Sequence, residues 1–358
     1  MVASETPSFK VLLIKTSSLG DVFHTLPALE DAWRSVPGLT VDWVVEEGFA
    51  AIPAWHPAVR KVIPVAWRRW RKQLFSAKHR AEIAEFRQQL NGEQYDLVLD
   101  AQGLLKSAMI TSLVKTDKQR KAGLDKHSAR ESLAALAYGQ KYPVAKGRHA
   151  IHRLRDLFGK VFDYQCEELE FSYGVDRSRW QRPNIDGNYW LFLHGTTWVT
   201  KLWPESYWKT LAQQAVDQGR KVVLPWGNDE EHERAIRIAE GIEGVDVLPK
   251  MGLNELTAWL AYAEAIVGVD TGLCHVAAAL EVPAVAIYGS TDSSLTGALG
   301  PEMEVLASEY HCAPCLSRKC LNPGEGEVEP PCYQEISPAR VCEQLLTRLG
   351  RTDVIAAN

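Results

Sequence analysis

The stretch Val11-Leu12-Leu13-Ile14-Lys15-Thr16-Ser17-Ser18-Leu19-Gly20-Asp21-Val22-Phe23-His24 decides the fold class. Val11–Lys15 is a short, mostly apolar run closed by a polar turn, the pattern of a strand buried on both faces and hence of a parallel sheet. Gly20 permits close backbone approach, and an apolar-periodic segment follows. Strand, glycine turn, helix is where open α/β sheets place ligands, beyond the carboxyl ends of their strands. The turn carries neither G-x-G-x-x-G nor a G-K-[ST] ending, so it is not a standard dinucleotide or P-loop fingerprint. It delivers one carboxylate, Asp21, next to His24. Taken alone, Asp21 is more often a helix cap than a general base, and His24 more often a helix histidine than a catalyst.

The same plan recurs along the chain. Strands are expected at Val11–Lys15, Thr40–Val45, Val62–Val65 and Leu97–Asp100, then at Tyr189–His194, Lys221–Leu224, Val245–Leu248, Ala265–Val269 and Ala284–Tyr288. Helical patterns lie between them, which predicts βαβ units. With 358 residues, the chain exceeds what one core usually organises. We therefore expect an α/β protein of two Rossmann-like doubly wound domains, residues 1–180 and 181–336, facing a central cleft. The polar segment Tyr173–Asn188 supplies the linker. The amphipathic tail, residues 337–350, is expected to pack back across the first domain.

Composition narrows the class. Hydrophobic residues make up 46% and charged residues 24%, as in ordinary globular proteins, and the net charge of −5 argues against general nucleic-acid binding. No apolar run has the length of a membrane span. Residues 1–7 lack a basic region followed by an apolar core, so they read as a disordered lead-in and not as an export signal. Seven cysteines in that context are expected to be thiols or metal ligands, and the compartment is expected to be the cytoplasm.

Asp100 opens a second strand-to-turn transition, Asp100-Ala101-Gln102-Gly103, where a structural cap is again the commoner role. Between Arg60 and Arg80 the chain is basic, with Arg68, Arg69, Arg71 and Lys72 interleaved with Trp67, Trp70 and Phe75. The ordinary reading is a solvated amphipathic helix. The functional one is a surface for a lipid carrying phosphates and acidic sugars, because arginine grips such groups bidentately and tryptophan prefers membrane interfaces. Arg130 extends this patch.

In the second half, Gly195-Thr196-Thr197-Trp198-Val199-Thr200-Lys201 follows a strand and offers backbone N–H groups and one cation to an anion. Asp270-Thr271-Gly272-Leu273-Cys274-His275 begins a second helix after a strand. The acids after Leu224-Pro225-Trp226-Gly227 are placed to bind ribose hydroxyls, or to cap a solvated helix. Cys312-Ala313-Pro314-Cys315, Cys320 and Cys332, beside His311, offer a structural metal site as the alternative to reduced loop thiols.

These motifs resemble one family across nearly the whole chain. K-T-S-S-L-G-D-V-F-H-T-L-P-A-L, I-P-V-A-W-R-R-W-R-K, D-A-Q-G-L-L-K-S, S-A-R-E, L-H-G-T-T-W-V-T-K-L-W-P and V-D-T-G-L-C-H are similar to the lipopolysaccharide heptosyltransferases of glycosyltransferase family 9, in the branch that attaches the first heptose. The resemblance implies a GT-B fold and an inverting, metal-independent transfer, with no cofactor required. The donor would be ADP-L-glycero-β-D-manno-heptose. The acceptor would be the first 3-deoxy-D-manno-octulosonic acid (Kdo) residue of Kdo-lipid A, met at the inner face of a Gram-negative inner membrane. It further implies Asp21 as catalytic base, with Thr196, Thr197, Lys201, Glu231, Met251, Asp270, Thr271, Gly272, Leu273 and His275 on the donor. Arg68, Arg69, Lys72 and Arg130 would engage the acceptor. A sibling that adds the second heptose is the nearest rival, and a nucleotide-sugar epimerase of the same fold is a more distant one.

Overall fold

The computed structural model describes residues 8–72 and 77–356, with side chains described through residue 350. The expected lead-in at residues 1–7 and Phe75 lie outside the described residues. The chain divides into two compact units, Met1–Val175 and Asp176–Asn358.

Each unit is built on a six-stranded sheet whose strand pairs are all parallel. The first comprises β1 (Phe9–Ile14), β2 (Leu39–Glu46), β3 (Val59–Val65), β4 (Leu97–Asp100), β5 (Lys121–Leu124) and β6 (Gln140–Tyr142), in the order β3-β2-β1-β4-β5-β6. The second comprises β7 (Tyr189–Leu193), β8 (Lys221–Leu224), β9 (Val245–Val247), β10 (Ala265–Val269), β11 (Ala284–Tyr288) and β12 (Met303–Ala307), in the order β12-β11-β10-β7-β8-β9. Both sheets start at a central strand, run outward to one edge, then return and run to the other. The direction reverses between β1 and β4 in the first unit and between β7 and β10 in the second. A doubly wound sheet opens a ligand crevice at such a reversal.

Three strands escaped the sequence reading. β6 is only Gln-Lys-Tyr at a sheet edge, and β12 is a partly exposed edge strand. Pairing with a neighbour makes β6 a strand, because it carries no local apolar run; β12 carries only the short run Val305-Leu306-Ala307, set off from Met303 by Glu304. β5 contains Gly123, where a Cβ would stand 2.5 Å from the Tyr138 ring, so the strand's burial depends on that aromatic cover.

The second core is rich in tryptophan. Trp190, Trp203 and Trp208 are fully buried, and Trp203 stacks edge-on against Trp208 with centroids 5.0 Å apart. The last helix, α12 (Pro338–Ala356), places Val341, Cys342 and Leu345 in this same core. Trp203 also donates from its indole N–H to the Ile336 carbonyl at 2.9 Å, just ahead of the helix. This corrects the expectation that the tail packs on the first domain. Burying a side chain such as Leu345 contributes roughly 1.5–3 kcal/mol, and the apolar face of α12 finds that burial on the second sheet.

Candidate active site

In the first unit the ends of β1 and β4 are laced together at the sheet reversal. Gln102 accepts from the Thr16 amide and hydroxyl at 2.8 and 2.7 Å, and donates to the Ser17 carbonyl at 2.7 Å. Asp100 is wholly buried and accepts from the Gln102 amide (2.8 Å), the Gly103 amide (3.1 Å) and the Tyr138 hydroxyl (2.6 Å). Burial raises its carboxyl above the usual range, against the pull of those donors. Asp100 is therefore a structural brace, as the capping reading anticipates. The turn it braces requires Gly103 in the left-handed region, at φ 67°.

Asp21 lies in the first turn of α1 (Leu19–Phe23). One carboxylate oxygen accepts from the Ser18 amide and hydroxyl at 2.7 and 2.8 Å, the local bond pattern of a helix start. The other lies 3.8 Å from the Lys15 ammonium, and the side chain remains 45% exposed. The cap and an accessible carboxylate thus coexist in one residue. Lys15 is buried, which lowers its proton affinity, while Asp21 and Asp100 raise it. Lys106 hydrogen-bonds the Ser17 hydroxyl; burial lowers its proton affinity too, Glu46 and Asp21 raise it, and Arg68 and Lys15 oppose them. Lys15 and Lys106 therefore share the neighbourhood of Asp21, and Arg68 acts in turn on Lys106, a field suited to an acidic ligand. The sequence reading missed Lys15, Lys106 and Gln102 as site residues. Only Lys15 carried a signal, as the one charge closing an otherwise apolar strand.

The basic arm is less uniform than its sequence. In α3 (Trp67–Trp70), Trp70 is buried and donates to Glu82 at 2.7 Å. Arg69 is taken up by two carboxylates, Glu47 at 3.0 Å and Glu82 at 2.7 Å, which hold its proton more tightly than usual. Arg60 is likewise paired, with Asp42 and Glu93. Arg68, Lys72 and Arg130 are exposed, with the Arg68 guanidinium 5.7 Å over the Phe49 ring. The expected acceptor set is thus divided into three exposed cations and one committed to structure. Arg68→Ala should carry most of the acceptor KM increase, and Arg69→Ala should mainly loosen α3. Equal KM effects in steady-state kinetics would overturn this division.

In the second unit, β7 leads through His194 to Gly195, Thr196 and Thr197, and β10 leads to Asp270 and Thr271. The Thr196 hydroxyl donates to the Asp270 carbonyl at 3.0 Å. Lys201 reaches the Asp270 carboxylate at 2.6 Å and lies 4.6 Å over the Trp198 ring. Asp270 also accepts from the Thr291 hydroxyl at 2.5 Å. Glu231, in the first turn of α8 (Asp229–Ala239), accepts from the Gly227 amide at 2.7 Å. It presses on the β7 turn so closely that a Cβ on Gly195 would lie 2.7 Å from its carboxyl carbon. Thr271, Gly272 and Leu273 form the start of α10 (Gly272–Ala279), with His275 buried one turn in. Met251 is half-buried on the segment after β9, and Thr197 is exposed.

The structure therefore gathers Gly195, Thr196, Lys201, Glu231, Asp270 and the α10 start at one sheet reversal. Unpaired N–H groups at a helix start, a glycine turn and a lysine make an anion site, worth about 0.3–1 kcal/mol from the helix dipole at exposed positions. The nearby glutamate adds an acceptor for sugar hydroxyls. Such a set suits a nucleoside diphosphate.

The comparisons with known proteins fit this geometry. The model of glycosyltransferase family 9 (heptosyltransferase) matches residues 83–325. Lipopolysaccharide heptosyltransferase 1 of Pseudomonas aeruginosa is 51% identical over 345 residues, covering 94% of this chain and 97% of that protein. The chain belongs to glycosyltransferase family 9. Within the family, the Escherichia coli K12 lipopolysaccharide heptosyltransferase 1 is 49% identical over 83% of this chain and 92% of its own length. The solved structure of E. coli heptosyltransferase WaaC with ADP superposes with a TM-score of 0.80 at 48% identity, covering 84% of this chain and 93% of that one. The fold is of the GT-B type.

The cysteine loop abuts the Thr196–Lys201 turn: the Thr200 hydroxyl donates to the Ser317 carbonyl at 2.6 Å, and the Arg318 guanidinium lies 5.0 Å over the Trp198 ring. Cys332 is buried, and Cys312, Cys315 and Cys320 are half-buried, all as free thiols. Burial, followed by the three neighbouring cysteines, pushes the Cys332 thiol up to about 12. Among the described residues, three ligand-type atoms come within 4.8 Å of one another at Asp156, Cys166 and Glu167, and not at this loop.

Proposed function

We propose that the chain is an inverting glycosyltransferase that moves L-glycero-D-manno-heptose from ADP-heptose to the first Kdo of Kdo-lipid A. The observation that carries this reading is the 51% identity, over both units, to a lipopolysaccharide heptosyltransferase 1. The relatives named heptosyltransferase 2 match only 40–43% of the chain, at 31% identity, which favours the first heptose over the second. Support for the donor comes from the E. coli WaaC structure solved with ADP-2-deoxy-2-fluoro heptose, 47% identical over 84% of this chain.

Inversion needs a single in-line displacement. The acceptor hydroxyl gives its proton to Asp21 as its oxygen attacks the anomeric carbon. The bond from that carbon to the diphosphate breaks, and its electron pair leaves with ADP. The N–H groups at the α10 start and Lys201 stabilise the growing charge on the diphosphate. Glu231 holds the ribose, and Met251 edges the adenine. Arg68, Lys72 and Arg130 meet the acidic sugars and phosphates of the acceptor.

We further place the enzyme at the cytoplasmic face of the inner membrane. Among the described residues no helix is long and apolar enough to cross a membrane, and exposed cations beside Trp67 suit attraction to a lipid headgroup.

Two experiments address the reading. Radiolabelled heptose from ADP-heptose should appear on Kdo-lipid A and not require an already heptosylated acceptor; transfer only to the latter would favour the sibling enzyme. Lys201→Ala should weaken ADP binding roughly 10-fold, since a hydrogen bond to a charged group contributes about 1.5–3 kcal/mol and Lys201 is already paired with Asp270 before ADP arrives. Unchanged affinity by calorimetry would remove Lys201 from the donor site.

A further inference from the structure

The first unit contains an apolar groove that the transfer chemistry leaves unused. It has a volume of about 740 Å³ and is walled by Trp67, Ile83, Leu105, Met109, Leu133 and Leu136 among others. Four of these are large apolar side chains left largely in water: Leu105 at 45%, Met109 at 55%, Leu133 at 62% and Leu136 at 68% exposure. A contiguous exposed apolar surface of this kind marks a binding site more often than an idle face.

Its position identifies what it binds. α5 (Leu105–Leu113) borders both the groove and the surroundings of Asp21. Leu105, Met109 and Leu113, spaced four apart on one face, line the groove. Lys106, the next residue after Leu105, turns the other way and hydrogen-bonds Ser17, close to Asp21. The groove therefore begins one residue from the cations that suit an acidic head. Its opposite rim is basic as well: Arg71 lines it, and Arg68 and Lys72 on the same arm are exposed. An anionic mouth-filler joined to an apolar tail matches this layout in both charge and polarity.

We infer that this groove is a subsite for a fatty acyl chain of the lipid acceptor, seated while the acceptor's acidic sugar lies at Asp21. The inference rests on the proposed function, because it takes the acceptor to be an acylated, acidic glycolipid. The groove then supplies binding energy remote from the reacting hydroxyl, through burial of the chain's methylenes. It also fixes the sugar's approach to the base.

The test compares wild type with Met109→Asp and Leu136→Asp, using acylated Kdo-lipid A and the same head stripped of all fatty acids. Both positions are more than half exposed, so the fold should survive, and melting curves and ADP affinity verify it. Should either variant melt early, Met109→Gln and Leu136→Gln replace it. Wild type should show an acceptor KM at least 10-fold lower for the acylated head. The variants should lose that preference by a rise in KM for the acylated acceptor alone, with kcat and KM on the stripped head unchanged. A preference that survives the substitutions overturns the inference. So does a loss that tracks dimer dissociation in sedimentation, which would make the groove a subunit contact. Loss of binding to anionic vesicles containing no acceptor, with the acyl preference intact, would also overturn it by assigning the groove to the bilayer. Absence of heptose transfer to either head by wild type would instead defeat the proposed function.

Discussion

Asp21→Asn is expected to lower kcat by about 10²–10⁴-fold, the range for removing a general base. ADP affinity should not change, because the proposed donor residues all belong to the second unit. The geometry makes this substitution interpretable. Asp21 also accepts two bonds from Ser18, so a loss of activity could come from a frayed helix start. Asparagine retains a side-chain oxygen for the Ser18 amide, and a lost cap costs only about 1 kcal/mol. A fraying defect would therefore appear as a lower melting temperature with a modest fall in turnover. The loss of a base would appear as a collapse of kcat at an unchanged melting temperature. Near-wild-type turnover would return Asp21 to its structural role and leave the reaction without an assigned base.

Acid should destabilise the second unit through His194. This residue ends the β7 segment directly before the donor turn and is fully buried. Burial, then the Arg234 guanidinium, lowers its pKa to about 4, against weaker opposition from the Pro225 carbonyl and Glu205. The unfolded chain carries an ordinary histidine near 6.5. Between those values the unfolded state binds the extra proton, so stability is intact above pH 6.5 and is lost as the pH falls toward 4. The full contribution is about 3 kcal/mol, of which roughly 2 is gone by pH 5. Carboxylates titrate in the lower part of this window, so the measurement is a difference between wild type and His194→Gln. Denaturant midpoints collected from pH 7.5 to 4.5 should fall more steeply for wild type. Parallel curves would show that the buried neutral imidazole does not govern this slope.

Much of the site was legible because its signals are local. A strand buried on both faces writes itself as an apolar run, and Leu97–Asp100, Lys221–Leu224, Ala265–Val269 and Ala284–Tyr288 appear in the structure with the bounds expected from sequence. The turns after β1, β7 and β10 follow apolar runs of the same kind, so the placement of Asp21, Thr196, Lys201 and Asp270 beyond strand ends was legible without a structure. β6 could not, because Gln-Lys-Tyr has no apolar run and its strand character comes from a neighbour. Lys106 had no periodicity to mark it, and its relation to Ser17 spans 89 residues of chain.

By itself, the sequence determined the parallel α/β class, the positions of the candidate turns at the strand ends and the family. All three follow from short-range patterns that folding does not alter. The tertiary structure decided which charges remain available. It buried Asp100 under Tyr138 and left Asp21 in solvent, although both aspartates follow a strand in the same way. It tied Arg69 to Glu47 and Glu82 and left Arg68 exposed, although the two are adjacent. It also seated α12 in the second core. Each outcome depends on partners distant in sequence, and ion pairing and burial are properties of the assembled surface.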